Sequence, residues 1–171
     1  MTPKVQWNPA LRAREQTQDG QRVVVIHDPQ TNDYFQLGGA EYDIAVSRTD
    51  DAGRWTEPQF FGADDGIDQA EPALTSDAKG NVYLAYADPG FGGIRVMALR
   101  ADGTSWREPL ALRPQAAGSR YRSPGLLVVG DNLIVAFAAG DKTSIVPVPV
   151  EWLLAEGDFS SLTITESGDP V

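Results

Sequence analysis

The sequence predicts an all-β chain, a β-propeller built from three four-stranded blades. The first observation behind this is that the 171 residues state one plan three times. The second is the spacing of the aromatic anchors Trp55, Trp106 and Phe159, which lie 51 and 53 residues apart. Periods of that size, filled with short strands, suit propeller blades better than a single sandwich of similar strands, which is the alternative. The third is the lack of helix signals. Glycine, proline and β-branched residues interrupt nearly every stretch that would otherwise show a 3.6-residue period. The best helical candidate, residues 150–157, is too short to change the class.

The first unit, about 7–62, runs from Pro9-Ala10-Leu11 through Val23-Val24-Val25-Ile26-His27-Asp28 and Tyr42-Asp43-Ile44-Ala45-Val46 to Trp55-Thr56-Glu57-Pro58. The second, about 70–113, is the clearest. Residues 71–75 form its first strand, and Asp77-Ala78-Lys79-Gly80 makes a tight turn with glycine at the position needing a positive φ. Residues 82–87 are almost continuously apolar, as expected of a strand buried on both faces. Pro89-Gly90-Phe91-Gly92-Gly93 turns the chain into a third strand at 94–99, and the fourth covers 106–112. The third unit, about 121–165, repeats this with Pro124-Gly125-Leu126, Asn132-Leu133-Ile134-Val135-Ala136-Phe137, Ile145-Val146-Pro147-Val148 and Ser161-Leu162-Thr163-Ile164. All 171 residues thus read as one three-bladed unit.

Composition narrows the function classes. With 14 basic against 24 acidic side chains the net charge is −10, a surface that repels phosphate backbones and argues against a nucleic-acid partner. No apolar run approaches the roughly 18 residues that cross a bilayer, so no membrane span is expected. Residues 1–18 lack a basic start followed by an apolar stretch, so no signal peptide is visible and the compartment stays open. The absence of cysteine excludes disulfides and thiolate chemistry. His27 is the only histidine. Zinc sites and serine triads would have to use it, and no Gly-x-Ser-x-Gly turn or phosphate-cradling glycine loop is present.

The turns between third and fourth strands carry a family resemblance. Thr49-Asp50-Asp51-Ala52-Gly53-Arg54-Trp55 resembles the Asp-box of the bacterial neuraminidase repeat, Ser/Thr-x-Asp-x-Gly-x-x-Trp/Phe. It matches at Thr49, Asp51 and Gly53, with Trp55 one position early. Asp102-Gly103-Thr104-Ser105-Trp106 and Glu156-Gly157-Asp158-Phe159 are progressively more degenerate copies. The resemblance implies a sialidase-like propeller in which these boxes are structural, with Trp55 and Trp106 buried at the blade hairpins. It also implies a ring of six blades. Three blades leave two apolar blade faces open, Val23 and Val25 marking one and Val135 and Phe137 the other. Two identical chains closing a six-bladed homodimer is therefore the expected assembly. A propeller fragment, natural or engineered, with no ligand of its own is the remaining reading.

Ligands of propellers bind where loops converge on the channel mouth. One loop set here is 28–41, 88–93 and 139–142; the other is 61–71 and 113–123. Tyr121-Arg122-Ser123-Pro124 is similar to the Tyr/Phe-Arg-Ile-Pro motif of sialidases, which implies that Arg122 grips a substrate carboxylate. The other binding candidates on these loops are Tyr121, Glu71, Asp68, Asp28, Asp33, Tyr34, Phe35 and Asp88. No catalytic residue is assigned, because the further arginines, the acid and the tyrosine–glutamate nucleophile of a sialidase have no motif here. No cofactor is expected. Calcium at Asp64, Asp65 and Asp68 is conceivable through oxygen ligands, although the spacing is no EF-hand. The function expected is non-catalytic binding of a glycan or protein at the ring mouth, with a sialidase-like glycoside hydrolase as the competing class.

Overall fold

The computed structural model describes residues 15–18, 21–27, 42–48, 59–61, 69–102, 106–107, 110–155 and 161–164. They form an all-β architecture with one short helix. The first sheet is an antiparallel meander of β1 (Glu15–Gln18), β2 (Gln21–His27), β3 (Tyr42–Arg48) and β4 (Gln59–Phe61). A second meander follows with β5 (Ala70–Ser76), β6 (Val82–Asp88), β7 (Gly93–Leu99) and β8 (Leu110–Pro114). A third has β9 (Tyr121–Val129), β10 (Asn132–Ala139) and β11 (Lys142–Pro149). The opening strands lie together, β5 packing against both β1 and β9. Pro9-Ala10-Leu11, expected as the first strand of the first unit, lies outside the described residues.

Turn chemistry explains the sharpest hairpin. Between β5 and β6 the Asp77 carboxylate accepts hydrogen bonds from the amides of Lys79 and Asn81 at 2.9 and 3.0 Å. It also accepts from the Asn81 side chain at 2.7 Å and the Tyr83 hydroxyl at 2.8 Å. Gly80 takes φ 85°, the left-handed position anticipated from the sequence. Asn81 Oδ1 then accepts from the Ala101 amide at 3.0 Å, tying the β7–β8 connection to the same end of the sheet. Burial pushes the Asp77 carboxyl up, but the hydrogen bonds from Asn81, Tyr83 and the two amides outweigh it and hold the group below its ordinary 3.8.

The fourth strand of the third unit does not join its own sheet. β12 (Ser161–Ile164) pairs in parallel with β8, pairing Ser161 with Ala111 and Ile164 with Pro114. The second sheet thus has five strands, in the order β12-β8-β7-β6-β5, and the third has three. Two physical reasons account for this departure from three four-stranded units. Pro147 and Pro149 have no N–H to donate, which marks β11 as an edge. The helix α1 (Val150–Leu154) then packs on β7 as well as β11 and buries Leu153. At its end the Arg107 guanidinium donates to the Ala155 carbonyl, steering the chain toward the second sheet.

The sheets stack face to face around two cores. Val82, Leu84 and Tyr86 of β6 pack with Leu74, Met97 and Leu99 against Ile44 and Val46 of the first sheet, with Phe61 and Trp106 at the margin. From the other face Tyr83, Ala85, Ile94, Val96 and Leu112 meet Leu133, Val135, Phe137, Val146 and Val148 of the third sheet. Every residue of β6 is buried, as its apolar run requires. Val135 and Phe137, expected on an open end face, are instead inside, at 0% and 1% exposure. The alternation along β10 puts Ile134 and Ala136 on the outer side. Among the described residues no helix is long and apolar enough to cross a membrane.

Two outcomes follow. Leu84→Ala and Leu133→Ala, one in each core, each lower the unfolding free energy by about 2–5 kcal/mol in urea titrations. A carboxyl whose pKa is lowered by folding stabilises above the unfolded value, and that contribution fades as pH falls through the folded one. Wild-type stability therefore drops as pH is taken below about 4, whereas Asp77→Asn starts less stable and shows a smaller acid-dependent loss.

Candidate functional site

Parts of the segments 88–93, 113–123 and 139–142 line two neighbouring clefts. The 115–120 connection and the β10–β11 turn at 139–142 enclose a cleft of about 580 Å³, with Arg120, Arg122, Asp141 and Lys142 on its walls. An adjoining cleft of about 230 Å³ shares Arg120, Tyr121 and Arg122 and adds Glu71, Ala87, Pro89 and Gly92. The β6–β7 loop lies directly against this segment: the Tyr121 amide donates to the Gly92 carbonyl at 2.8 Å. Residues 28–41 and 62–68 of the anticipated loop sets lie outside the described residues.

Backbone geometry at the shared wall is unusual. Glu71 and Ser123 are the non-glycine residues of positive φ among the described residues, at 55° and 51°. Each precedes a proline, at the same place in the repeat: Gln69-Ala70-Glu71-Pro72 and Tyr121-Arg122-Ser123-Pro124. Both ladders break register there, between Ala70 and Ala73 and opposite Ala136 to Ala138. The two strained residues also hold one another. Glu71 Oε2 accepts from the Ser123 amide at 2.5 Å, and Glu71 Oε1 from the Ser123 hydroxyl at 3.2 Å. Such conformations cost on the order of 1–3 kcal/mol each and persist where surrounding structure enforces them.

Each sequence-derived candidate has a distinct fate. Arg122 is exposed and lines both clefts. Tyr121 is buried, its ring 4.3 Å from that of Phe137, so it is chiefly a core residue. Glu71 is half-buried and engaged with Ser123. Asp88 is buried and structural: its carboxylate accepts from the Gly90 amide at 2.9 Å and Arg95 Nε at 2.8 Å. Asp28, Asp33, Tyr34, Phe35 and Asp68 lie outside the described residues, as do the calcium candidates Asp64 and Asp65. Among the described residues no group of three or more acidic or histidine side chains is placed to hold a metal. Of the box residues, Thr49, Asp51, Gly53, Trp55, Gly103 and Phe159 are likewise outside. Asp102 is exposed, 4.0 Å from Arg100, and Trp106 is half-buried with its ring edge-on to Phe61 at 5.7 Å.

Several site residues carried no motif. Arg120 and Lys142 add cations to the larger cleft. Phe91 sits under two more, the Arg95 and Arg113 guanidinium carbons lying 4.6 and 4.7 Å from its ring centroid. Gly93 makes that placement possible, since a Cβ there would meet the Phe91 ring at 2.1 Å and the Leu112 carbonyl at 2.2 Å. The available signal was the crowding of arginines at 113, 120 and 122 in an acidic chain. Comparison with known proteins adds no identity: no family model and no curated protein matches the chain.

The strain has a direct check. Ser123→Gly relieves the left-handed residue while losing an exposed hydroxyl, so its stability stays at or near the wild-type level. Ser123→Val, β-branched and without the hydroxyl, loses about 1–3 kcal/mol in denaturant titrations.

Proposed function

We propose that this chain is a non-catalytic binding module of β-propeller type, taking a carboxylate-bearing ligand in the paired clefts. An acidic glycan is the first candidate, and an acidic protein segment is the other source of the same group. One observation carries the reading: Arg120 and Arg122 line both clefts in a chain whose net charge is −10. A guanidinium fork matches a carboxylate in bidentate fashion, and a cationic hollow in an acidic surface draws anions selectively. The propeller reading rests on three consecutive meanders whose opening strands lie together. The third gives up its last strand to its neighbour. The Asp-box resemblance at 49–55 and 102–106 supports the same reading.

The competing reading, a sialidase-like hydrolase, draws on Glu71, Tyr121 and Arg122 lining one cleft. Binding is favoured because the Tyr121 ring is committed to Phe137 and both Glu71 oxygens accept from Ser123. Calorimetric titration with sialylated and uronic-acid oligosaccharides tests this. A bond to a charged group contributes about 1.5–3 kcal/mol, so Arg122→Ala weakens binding on the order of tenfold to a hundredfold with the fold intact. Neutral oligosaccharides bind no better to wild type than to the variant. Equal affinity of wild type and variant for the acidic sugars would sink the proposal, and turnover of a fluorogenic sialoside would favour the hydrolase.

A further inference from the structure

One aromatic ring beside the clefts holds two guanidiniums that the binding of a single carboxylate does not use. The β6–β7 ladder pairs Asp88 with Gly93, and the β7–β8 ladder, one step past Ile94 and Leu112, sets Arg113 opposite Gly93. Phe91 leans over this row, since a Cβ on Gly93 would meet its ring at 2.1 Å. Arg95 and Arg113 both stack on that ring, their guanidinium carbons 4.6 and 4.7 Å from its centroid. Their electrostatic circumstances differ. Arg95 is half-buried and answered by Asp88, whose carboxylate accepts from Nε at 2.8 Å. Arg113 is exposed, and among the described residues no carboxylate pairs with it.

A guanidinium stacked on a ring commits its flat face and leaves its N–H edge free, already oriented, for a bidentate acceptor. Two guanidiniums on one ring repel each other, and Asp88 offsets only one of them. The position is therefore set for an anion that comes from outside. It is also continuous with the smaller cleft. Gly92, next to Phe91, lines that cleft, and a Cβ there would stand 3.6 Å from Arg120 Cγ. Arg113 itself lines neither cleft, so it adds a separate cationic position beyond the wall that Arg120 and Arg122 share.

From this we infer that Arg113 on its Phe91 platform is a second anion subsite, and that the ligand is a linear glycan with acidic groups on more than one sugar. This rests on the binding function proposed for the clefts and extends it from one carboxylate to several. A glycan is favoured over an acidic peptide by what the rim lacks. A peptide gains affinity by joining a sheet edge or by seating apolar anchors. The β8 edge is occupied by β12. The exposed large apolar side chains among the described residues, Leu127, Val129 and Ile145, are not on the cleft walls.

Calorimetric titration with galacturonic acid and with its linear tetramer tests this. Wild type binds the tetramer about tenfold or more tighter than the monomer, because a second contact is made within one ligand. Arg113→Gln, at an exposed position, removes that advantage and leaves the monomer's affinity and the near-ultraviolet circular dichroism unchanged. Arg100→Gln takes the same charge from an exposed position just past the other end of β7, and it alters neither affinity. Equal affinity of Arg113→Gln and wild type for the tetramer would overturn the subsite, even where Arg122→Ala still weakens both sugars and so upholds the clefts. Loss of affinity in Arg100→Gln equal to that in Arg113→Gln would overturn it too, as an effect of net charge alone. If Arg122→Ala changes neither sugar, or wild type binds neither, the binding function of the clefts falls with it. A tetraglutamate peptide that binds as tightly as the tetramer would overturn the choice of a glycan.

Discussion

A sheet whose second strand is apolar at nearly every position has no side to show to water, and this constraint governs the molecule. Along β6 the residues alternate between two cores, Val82, Leu84 and Tyr86 to one and Tyr83, Ala85 and Ala87 to the other. Burying a large apolar side chain contributes about 1.5–3 kcal/mol, and neither set is buried unless both neighbouring sheets are in place. The first and third sheets therefore fold onto the second. The loops at their shared end are brought together as a consequence, and the cationic clefts are made from those loops.

Backbone satisfaction decides the rest of the topology. A sheet edge is a row of unpaired donors and acceptors, and it must be paired, covered or blunted. β8 is paired, by β12, while β11 is blunted, by two prolines. One short helix connects these two solutions. α1 ends the third sheet, buries Leu153 and delivers the chain to β8, with the Arg107 bond to the Ala155 carbonyl fixing the exit. The third unit loses its fourth strand and the second gains a fifth, which laces the two sheets together beyond their packed faces.

Local chemistry was legible in the residues, and long-range pairing was not. The turn at 77–80 could be read because aspartate and glycine have few other reasons to occur at that spacing, and β6 because its apolar run is continuous. The outward alternation of β10 was equally present in the sequence, yet which parity points inward depends on the neighbouring sheet. Val135 and Phe137, expected on an open face, lie inside for that reason. The parallel pairing of β12 has no local signature, although Pro147 and Pro149 did signal that β11 accepts no further strand. At the clefts, Arg122 stands within a sequence motif, whereas Arg120, two residues earlier, stands in none and reaches the same walls only through the course of its loop.

The repeat also explains why the clefts are asymmetric. Glu71 and Ser123 occupy the same position in successive units, each left-handed, each before a proline, and each bonded to the other. A scaffold with such a repeat offers the preceding position once per unit, in the same backbone setting. In the second unit that position is Ala70, in the third Arg122. The contact between Glu71 and Ser123 ties the two opening strands together across the sheets, so the backbone position of residue 122 is fixed by the fold while its side chain is free to differ between units. Binding chemistry on this frame therefore requires no new backbone, only a change of side chain beside a strained residue that packing already enforces.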